Sequence, residues 1–581
     1  MKRAAALLIA CMLGLAALCG CTPRGSTLVY PDYPNTPADN DSWTYIDEEF
    51  TIDWYVDYSW FTYQSTAADI IGQRVKELTG VTINFTSPVQ NDSTNLNLMI
   101  SGDTLPDVIS VRAYQQRPAQ LALEGYVYPV DELARRWAPT LLDRIEPDIA
   151  DYYSIGDHLY GLPNCAYSEK YVDKADKWEP NGAMLVRKDW YEWYTSQPDA
   201  MDITTKAGLK DAMTRVRAQF QTPSQRVVPM LLDEFTGEGN QSITWLSQYF
   251  AAPFEDENGN YVDSRFTDQY FEALTYLSEL YGAGLLSGLS NDSDAIGQII
   301  SRGEAFVTLV TPQNYTTNFT AAYRGSHNVE YIPLIVRNDA GDDPILQDMT
   351  GRGWLLSMIT KNCERPDLVI KVFDFLYSEE GQRLTNFGIE NDTWRWADES
   401  HTSIEWTDKY ISQKLGGGLE NYGLEQLNVL YNPAYIVPLM PVNALQDYEL
   451  YIKNLKRPLS AFSYRYTMSW PKLDKTTDEY TSVVNAEANC LAVWSEYLPD
   501  MVSGDTRTQY DTAVAQMKRR GLDDVLAYYA QAYAAGKEEA GIGRAWIPAA
   551  EGYTSPTLRN ADGSYSDTPV GANGDPYYLL G

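Results

Sequence analysis

The chain has 581 residues and a formal net charge of −34, with 45 Lys and Arg against 79 Asp and Glu. Such an excess of carboxylates repels phosphate, which argues against nucleic acid or anionic lipid headgroups as partners. The length exceeds the roughly 100 to 200 residues of one domain and implies two or three lobes.

Lys2 and Arg3 precede an apolar run from Ala4 to Leu18 that leads into Cys19, Gly20 and Cys21. The run is too short to cross a hydrocarbon core of about 30 Å, so a transmembrane helix is the weaker reading. The pattern resembles a bacterial lipoprotein signal over residues 1–20, departing from it at Cys19, where Ala or Ser is commoner. Cleavage makes Cys21 the lipidated N-terminus, palmitate being one of its expected acyl chains. Two chains suffice for stable anchoring. The expected location is the extracytoplasmic face of the cell membrane. Residues 21–47 carry Pro31, Pro34 and Pro37 among Asp and Asn and read as a flexible tether. The folded body is expected to begin near Glu48.

Phe50 to Val56 alternates as a half-buried strand and ends in the aromatic turn Tyr58-Ser59-Trp60-Phe61. Ile70, Ile71, Val75 and Leu78 recur at helical spacing, Gly80 stops that helix, and Val81, Ile83 and Phe85 alternate again. A strand, helix, strand unit of this kind makes its strands parallel. Thr94 to Ile100 predicts a helix with Ser93 as a cap, and Asp107 to Val111 a buried strand after Pro106. Leu121 to Trp137 is amphipathic, Leu159 to Leu162 a short apolar step, and Met184 to Arg187 a strand running into a helix at Trp190. Phe271 to Leu286 predicts a strong helix with Phe271, Leu274, Leu277, Leu280 and Tyr281 on one face. Leu368 to Leu376 and Tyr480 to Tyr497 are again helical, no internal repeat is visible, and residues 542–581 read as an irregular tail. The fold class is therefore α/β.

Removing the signal leaves Cys165, Cys363 and Cys490 besides Cys21, which is no disulfide framework. Buried free thiols are the reading preferred to one disulfide. His158, His327 and His401 match no metal spacing. Asp256-Glu257-Asn258-Gly259-Asn260 begins like a calcium loop, but Gly259 stands fourth where Gly is needed sixth, so a hairpin turn is expected. Fifteen Trp and forty-three Tyr against fifteen Phe favour rings with a polar edge, the type that stacks on sugar rings while hydrogen-bonding them.

Seven phrases in order carry a family resemblance. They are Ser101-Gly102-Asp103-Thr104-Leu105-Pro106-Asp107-Val108-Ile109; Gly125-Tyr126-Val127-Tyr128-Pro129-Val130-Asp131-Glu132-Leu133; Asp157-His158-Leu159-Tyr160-Gly161-Leu162-Pro163-Asn164; Arg187-Lys188-Asp189-Trp190; Leu280-Tyr281-Gly282-Ala283-Gly284-Leu285-Leu286; Ile359-Thr360-Lys361-Asn362-Cys363; and Phe373-Asp374-Phe375-Leu376-Tyr377-Ser378-Glu379-Glu380-Gly381. Over residues 48 to 537 the chain resembles family 1 of the extracellular solute-binding proteins of ABC importers, which contains the maltose- and alginate-binding proteins. The resemblance implies a two-lobed periplasmic-binding-protein-like fold of type II, whose discontinuous lobes close by hinge motion around a solute. It places 48–165 and 313–390 in lobe 1, and 166–312 and 391–541 in lobe 2. The calcium-binding insert that alginate-binding relatives carry after the Arg187-Lys188-Asp189-Trp190 region is not evident, and no metal or cofactor is expected.

The implied function is a monomeric receptor that is not an enzyme, capturing an oligosaccharide and delivering it to the permease subunits of an ABC importer. Aromatic faces would pack on sugar C–H faces while polar groups take hydroxyls. The ligand-binding candidates, all near strand ends, are Trp60, Arg112, Tyr114, Gln313, Tyr315, Trp354 and Trp394. The rival classes are a surface glycoside hydrolase or lyase, which needs two carboxylates about 5 to 9.5 Å apart, and a receptor for a non-sugar solute such as a peptide.

Overall fold

The computed structural model describes residues 28–89, 93–113, 116–168, 179–233, 241–289, 293–325, 328–347, 351–416, 418–439, 447–464 and 473–540. The signal segment, Cys21, Tyr114, His327 and the expected tail lie outside them. The strands of the two main sheets are, in chain order, β1 Phe50–Val56, β2 Val81–Thr86, β3 Val108–Arg112, β4 Leu162–Pro163, β5 Ala183–Arg187, β6 Val228–Leu232, β7 Ala305–Val310, β8 Tyr331–Pro333 and β9 Leu355–Ile359. The chain divides into two compact units.

Unit 1 comprises the chain up to Cys165 together with Trp354–Trp394 and Thr407–Tyr435. Its five-stranded sheet has the order β2-β1-β3-β9-β4. β1 is parallel to β2 and β3, as the helical crossover Ile70–Thr79 requires, and that helix ends at Gly80 with φ 71°. β9 enters antiparallel, with Leu355 opposite Arg112 and Ile359 opposite Val108. Helix Pro366–Leu376 lies against this sheet, Phe373 stacking on Trp54 at 5.4 Å. Every residue of that helix is buried.

One covering element is the segment expected to be a flexible tether. Trp43 is buried against Phe375, with ring centroids 5.3 Å apart. The Ser42 amide donates to Asp374, which also accepts from Thr140 at 2.5 Å and from Arg144 at 2.7 Å. Upstream, Thr36 N–H donates to the Arg136 carbonyl at 2.9 Å, and Trp137 Nε1 donates to the Tyr33 carbonyl at 3.3 Å. Tyr30 donates to Glu132 at 2.5 Å. Burial, the bond to Glu132 and its charge together push the Tyr30 phenol up. The tether reading of 21–47 is therefore corrected from Leu28 onward. Low periodicity suggested disorder, but the segment borrows its core from the helix it covers.

Unit 2 comprises Ala166–Gly353, Arg395–Trp406 and the chain from Ile436 onward. Its four-stranded sheet has the order β8-β5-β7-β6, with β6 and β7 parallel and the other pairs antiparallel. Every residue of β5, β6 and β7 is buried, as both faces are covered. Helix Asp268–Gly282, capped by the Thr267 hydroxyl, buries Leu274, Leu277 and Leu280, while Tyr281, expected on the same face, is exposed. Trp494 of helix Asp478–Ser503 packs on Tyr270 at 5.8 Å, bringing the C-terminal helices onto this core.

Two expected lobe boundaries differ. Residues 313–353 stay in unit 2 because helix Thr316–Arg324 packs back on β8 through Phe319 and Tyr331, 5.4 Å apart. Residues 407–435 lie in unit 1, where Leu430 and Tyr431 offer carbonyls to Gln382 and Cys165. Local details differ as well. The amphipathic stretch 121–137 is split into helices Arg117–Leu123 and Val130–Trp137 by Gly125, with φ 73°, and Pro129. Ser93 stands at the N-cap position of helix Thr94–Gly102 as expected, but its hydroxyl donates to Asp57 at 2.6 Å instead of accepting from the helix.

Cys165, Cys363 and Cys490 enter no disulfide among the described residues; Cys363 and Cys490 are buried and Cys165 only partly so, and burial pushes the Cys363 thiol well above the ordinary range. Residues 256–260 form a turn, with Asp256 N–H donating to the Asn260 carbonyl and Gly259 at φ 78°. The Lys537 ammonium bonds the neighbouring Glu255 at 2.6 Å and the Gly259 carbonyl, so this turn already carries a cation of the protein's own.

Trp43 provides the check on the corrected tether. Trp43→Ala should cost about 3 to 5 kcal/mol of unit 1 stability, as for a buried aromatic. Urea unfolding of the variant measures it, and a flexible tether would show no loss.

Candidate ligand-binding site

β1 and β3 run parallel and β9 antiparallel to them, so the C-terminal ends of the first two meet the N-terminal end of the third at one sheet edge. Ligands of open α/β sheets bind beyond the carboxyl ends of the parallel strands. The turn after β1 carries Tyr58 and Trp60, β3 ends at Arg112, and Trp354 stands immediately before β9.

Three rings converge there. Tyr58 and Trp60 have centroids 5.4 Å apart, Trp60 and Trp354 5.3 Å, and Tyr58 and Trp354 5.3 Å. The interplanar angles of 44°, 52° and 79° preclude parallel stacking, leaving the rings splayed. Trp60 is 50% exposed, an unusual state for the largest apolar side chain. Arg112 is buried, and its guanidinium carbon sits 4.9 Å from the Tyr58 ring centre. A cation held over an aromatic face gains about 0.5 to 2 kcal/mol, which fixes the Arg112 fork against that ring. The cluster thus offers an exposed apolar face beside a permanent cation, suited to a ligand that is flat and apolar on one side and rich in hydroxyls or carboxylates on its edge.

The backbone beneath is held by buried polar groups. Asn164, fully buried, accepts the Leu355 N–H at 2.9 Å and the Trp354 N–H at 3.4 Å, and donates to the Asn428 carbonyl at 3.1 Å. The Trp354 carbonyl accepts from Ala113 N–H at 3.0 Å. Asp57, at the end of β1, accepts from Tyr55 at 3.1 Å and Ser93 at 2.6 Å. Tyr58, Asp57 and Asn164 were not among the candidates. Tyr58 lies in the same aromatic turn as Trp60, which was its available signal, and Asn164 closes one of the seven phrases.

The remaining candidates fall elsewhere. In unit 2, Tyr315 is buried and donates to Asp233 at 3.0 Å, while the other Asp233 oxygen accepts the Thr311 N–H at 3.1 Å. Gln313 is exposed and donates to Asn181 at 2.6 Å. These groups join the ends of β6 and β7, the C-terminal edge of the unit 2 sheet. Trp394 belongs to unit 1 but is 2% exposed, packs on Phe387 at 5.9 Å and donates its indole N–H to the Gly388 carbonyl at 3.0 Å. It is a core residue, because the turn after helix Glu379–Phe387 folds its ring inward.

A concavity of about 590 Å³ lies at the opposite end of the unit 1 sheet, lined by Glu48, Glu49, Lys76, Glu77 and Gly80 among others. It offers mainly carboxylates, and Lys76 is paired with Glu49 at 2.8 Å. Among the described residues, no three His, Cys, Asp or Glu side chains are placed to hold a metal ion.

Burial distinguishes the tryptophans by stability. Trp394→Ala should lose about 3 to 5 kcal/mol. Trp60→Ala should lose about half as much or less, because half its surface is already in water. Paired chemical melts of the two variants check this ordering.

The model of the bacterial extracellular solute-binding protein family matches residues 58–383. The chain is 22% identical over 569 residues to the fructooligosaccharide ABC transporter substrate-binding protein FusA of Streptococcus pneumoniae, covering 90% of this chain and 97% of that one. It is 23% identical over 310 residues to Lipoprotein LipO of Bacillus subtilis, covering 51% and 56% of the two chains. Among solved structures, FusA in complex with kestose superposes with a TM-score of 0.64 at 16% identity, over 85% of this chain and 100% of that one. The alginate-binding protein AlgQ2 without calcium ion superposes with a TM-score of 0.61 at 17% identity, over 84% and 98%. With the shared fold and a family match spanning more than half its length, the chain belongs to the bacterial extracellular solute-binding proteins.

Proposed function

We propose that this protein is a lipid-anchored, monomeric receptor that captures an oligosaccharide outside the cytoplasm and presents it, chemically unaltered, to the membrane subunits of an ABC importer. The observation that carries the reading is the half-exposed Trp60 indole in ring contact with Tyr58 and Trp354, beside the buried Arg112 guanidinium. A pyranose or furanose ring has an apolar C–H face and a hydroxyl edge, and this cluster complements both. The fructooligosaccharide-binding relative supports a sugar ligand, and the lipoprotein relative supports an anchor at Cys21. Hydrolysis would need two carboxylates facing a scissile bond. Asp57, adjoining the ring cluster, accepts hydrogen bonds on both oxygens.

A panel of fructo-, gluco- and uronic-acid oligosaccharides, with peptides alongside, tests the solute class by thermal stability. The true ligand at a hundredfold excess over Kd stabilises the protein by about 2.7 kcal/mol. Stabilisation by peptides alone overturns the sugar assignment. For the stabilising sugar, Trp60→Ala and Trp354→Ala should each weaken binding about tenfold to a hundredfold by calorimetric titration, an apolar contact of about 1 to 3 kcal/mol. Unchanged affinity in both folded variants removes the ring cluster from the site. The sugar should also be recovered intact after long incubation, and Cys21→Ser should release the protein from membranes.

A further inference from the structure

The segment Tyr30-Pro31-Asp32, Tyr33-Pro34-Asn35, Thr36-Pro37-Ala38 repeats one pattern three times, an anchoring residue followed by proline. In each repeat the residue before the proline meets the body. Tyr30 donates to Glu132 at 2.5 Å and lies 4.3 Å from the Arg136 guanidinium carbon. Tyr33 accepts the Trp137 indole N–H on its carbonyl, and its ring lies 4.6 Å from the Arg365 guanidinium carbon. Thr36, buried, donates its N–H to the Arg136 carbonyl. A period of three is that of a proline-rich extended chain, which presents every third residue to one side. Just ahead of the repeat, the Val29 carbonyl accepts from Tyr128 at 3.0 Å while its side chain is 77% exposed.

We infer that this strap fixes the point at which the lipidated N-terminus leaves the body, so that the edge of unit 1 carrying Tyr30, Tyr128, Glu132 and Arg136 is the one held toward the lipid surface. The inference rests on the anchoring at Cys21 proposed above. With the strap docked, Cys21 lies seven residue steps from Leu28, a reach of at most about 25 Å. A tether flexible as far as Asp47 would reach about 90 Å. The docked strap therefore shortens the greatest distance of the body from its attachment point more than about threefold. Docking the strap thereby converts a loosely attached body into one held near the membrane by a defined edge.

The test uses the full lipidated chain in phosphatidylcholine vesicles containing an acceptor-labelled lipid. A donor dye is placed at Asp157→Cys, an exposed position next to His158, whose ring meets Asp131 and Glu132. Vesicle flotation reads anchoring, and energy transfer reads the distance of this edge from the lipid. The native strap should give strong transfer, falling severalfold in the Tyr30→Ala/Tyr33→Ala variant while both chains float. Equal transfer from two floating chains overturns the strap, whereas failure of the native chain to float overturns the anchor and the strap with it. Hydrogen exchange on the unaltered chain gives an independent measurement. The Thr36 amide should be protected at least a hundredfold over an unstructured peptide, and free exchange there overturns the docking without recourse to any variant.

Discussion

The candidate site depends on one strand pairing, the antiparallel seating of β9 between β3 and β4. β9 brings Trp354 next to the aromatic turn that follows β1, although Trp354 stands 190 residues after Asn164, whose side-chain oxygen accepts its N–H. Closing so long a loop costs little more than closing a short one, since the entropy grows only logarithmically. Register, by contrast, is decisive. With side chains alternating faces along a strand, a slip of one residue would turn the Leu355 and Ser357 positions to the other face and carry Trp354 away from Tyr58 and Arg112.

That register is held by a buried polar chain crossing three strands. Trp54 Nε1 donates to Ser110 Oγ at 2.8 Å, Ser110 and Ser357 share a hydrogen bond at 2.8 Å, and Ser357 Oγ donates to the Val429 carbonyl at 3.1 Å. Ser110 stands opposite Ser357 in the β3–β9 ladder. Both serines are fully buried, so any other register leaves hydroxyls and an indole N–H without partners, at about 1 to 3 kcal/mol each. Asn164 adds the same constraint at the strand's first residues. The apolar residues of β9 give the sheet its cohesion, and the serines give it its alignment.

The local architecture was legible where apolar periodicity dominates: β1, the helix after it, β2 and the strand ending at Arg112 all follow from spacing and from Gly80. Trp60 and Arg112 were legible as site candidates because each stands at the end of such a strand. Trp394 illustrates the limit. An aromatic residue in an Asn391-Asp392-Thr393 loop looks exposed, and only the three-dimensional path of the turn shows its N–H bonded to Gly388 and its ring in the core. The lobe exchange near residues 313 and 407 was illegible for a related reason, since the unit in which a crossing segment settles is decided by packing partners such as Phe319 and Tyr331.

The strap had a signal in helix Pro366–Leu376. Leu368, Val369, Ile370, Val372, Phe373, Phe375 and Leu376 leave only the narrow stripe of Asp367, Lys371 and Asp374 polar, and so wide an apolar surface needs cover beyond the side facing the sheet. The sheet covers one side through Trp54, so another part of the chain has to supply the Phe375 side, and Trp43 does so. Proline at every third position lowers the conformational entropy the segment must surrender on docking. A stretch with little apolar content of its own thereby becomes ordered. Each polar contact along it contributes little alone, Tyr30 and Tyr33 being only partly buried. The buried Trp43, together with the shared Asp374 that ties Ser42 to Thr140 and Arg144, anchors the C-terminal end of the segment, while Tyr30 and Tyr33 jointly seat its proline repeat on the body. Stability of the helix and the path of the segment are consequently linked at Trp43, where a substitution that loosens the C-terminal end also strips the cover from Phe375.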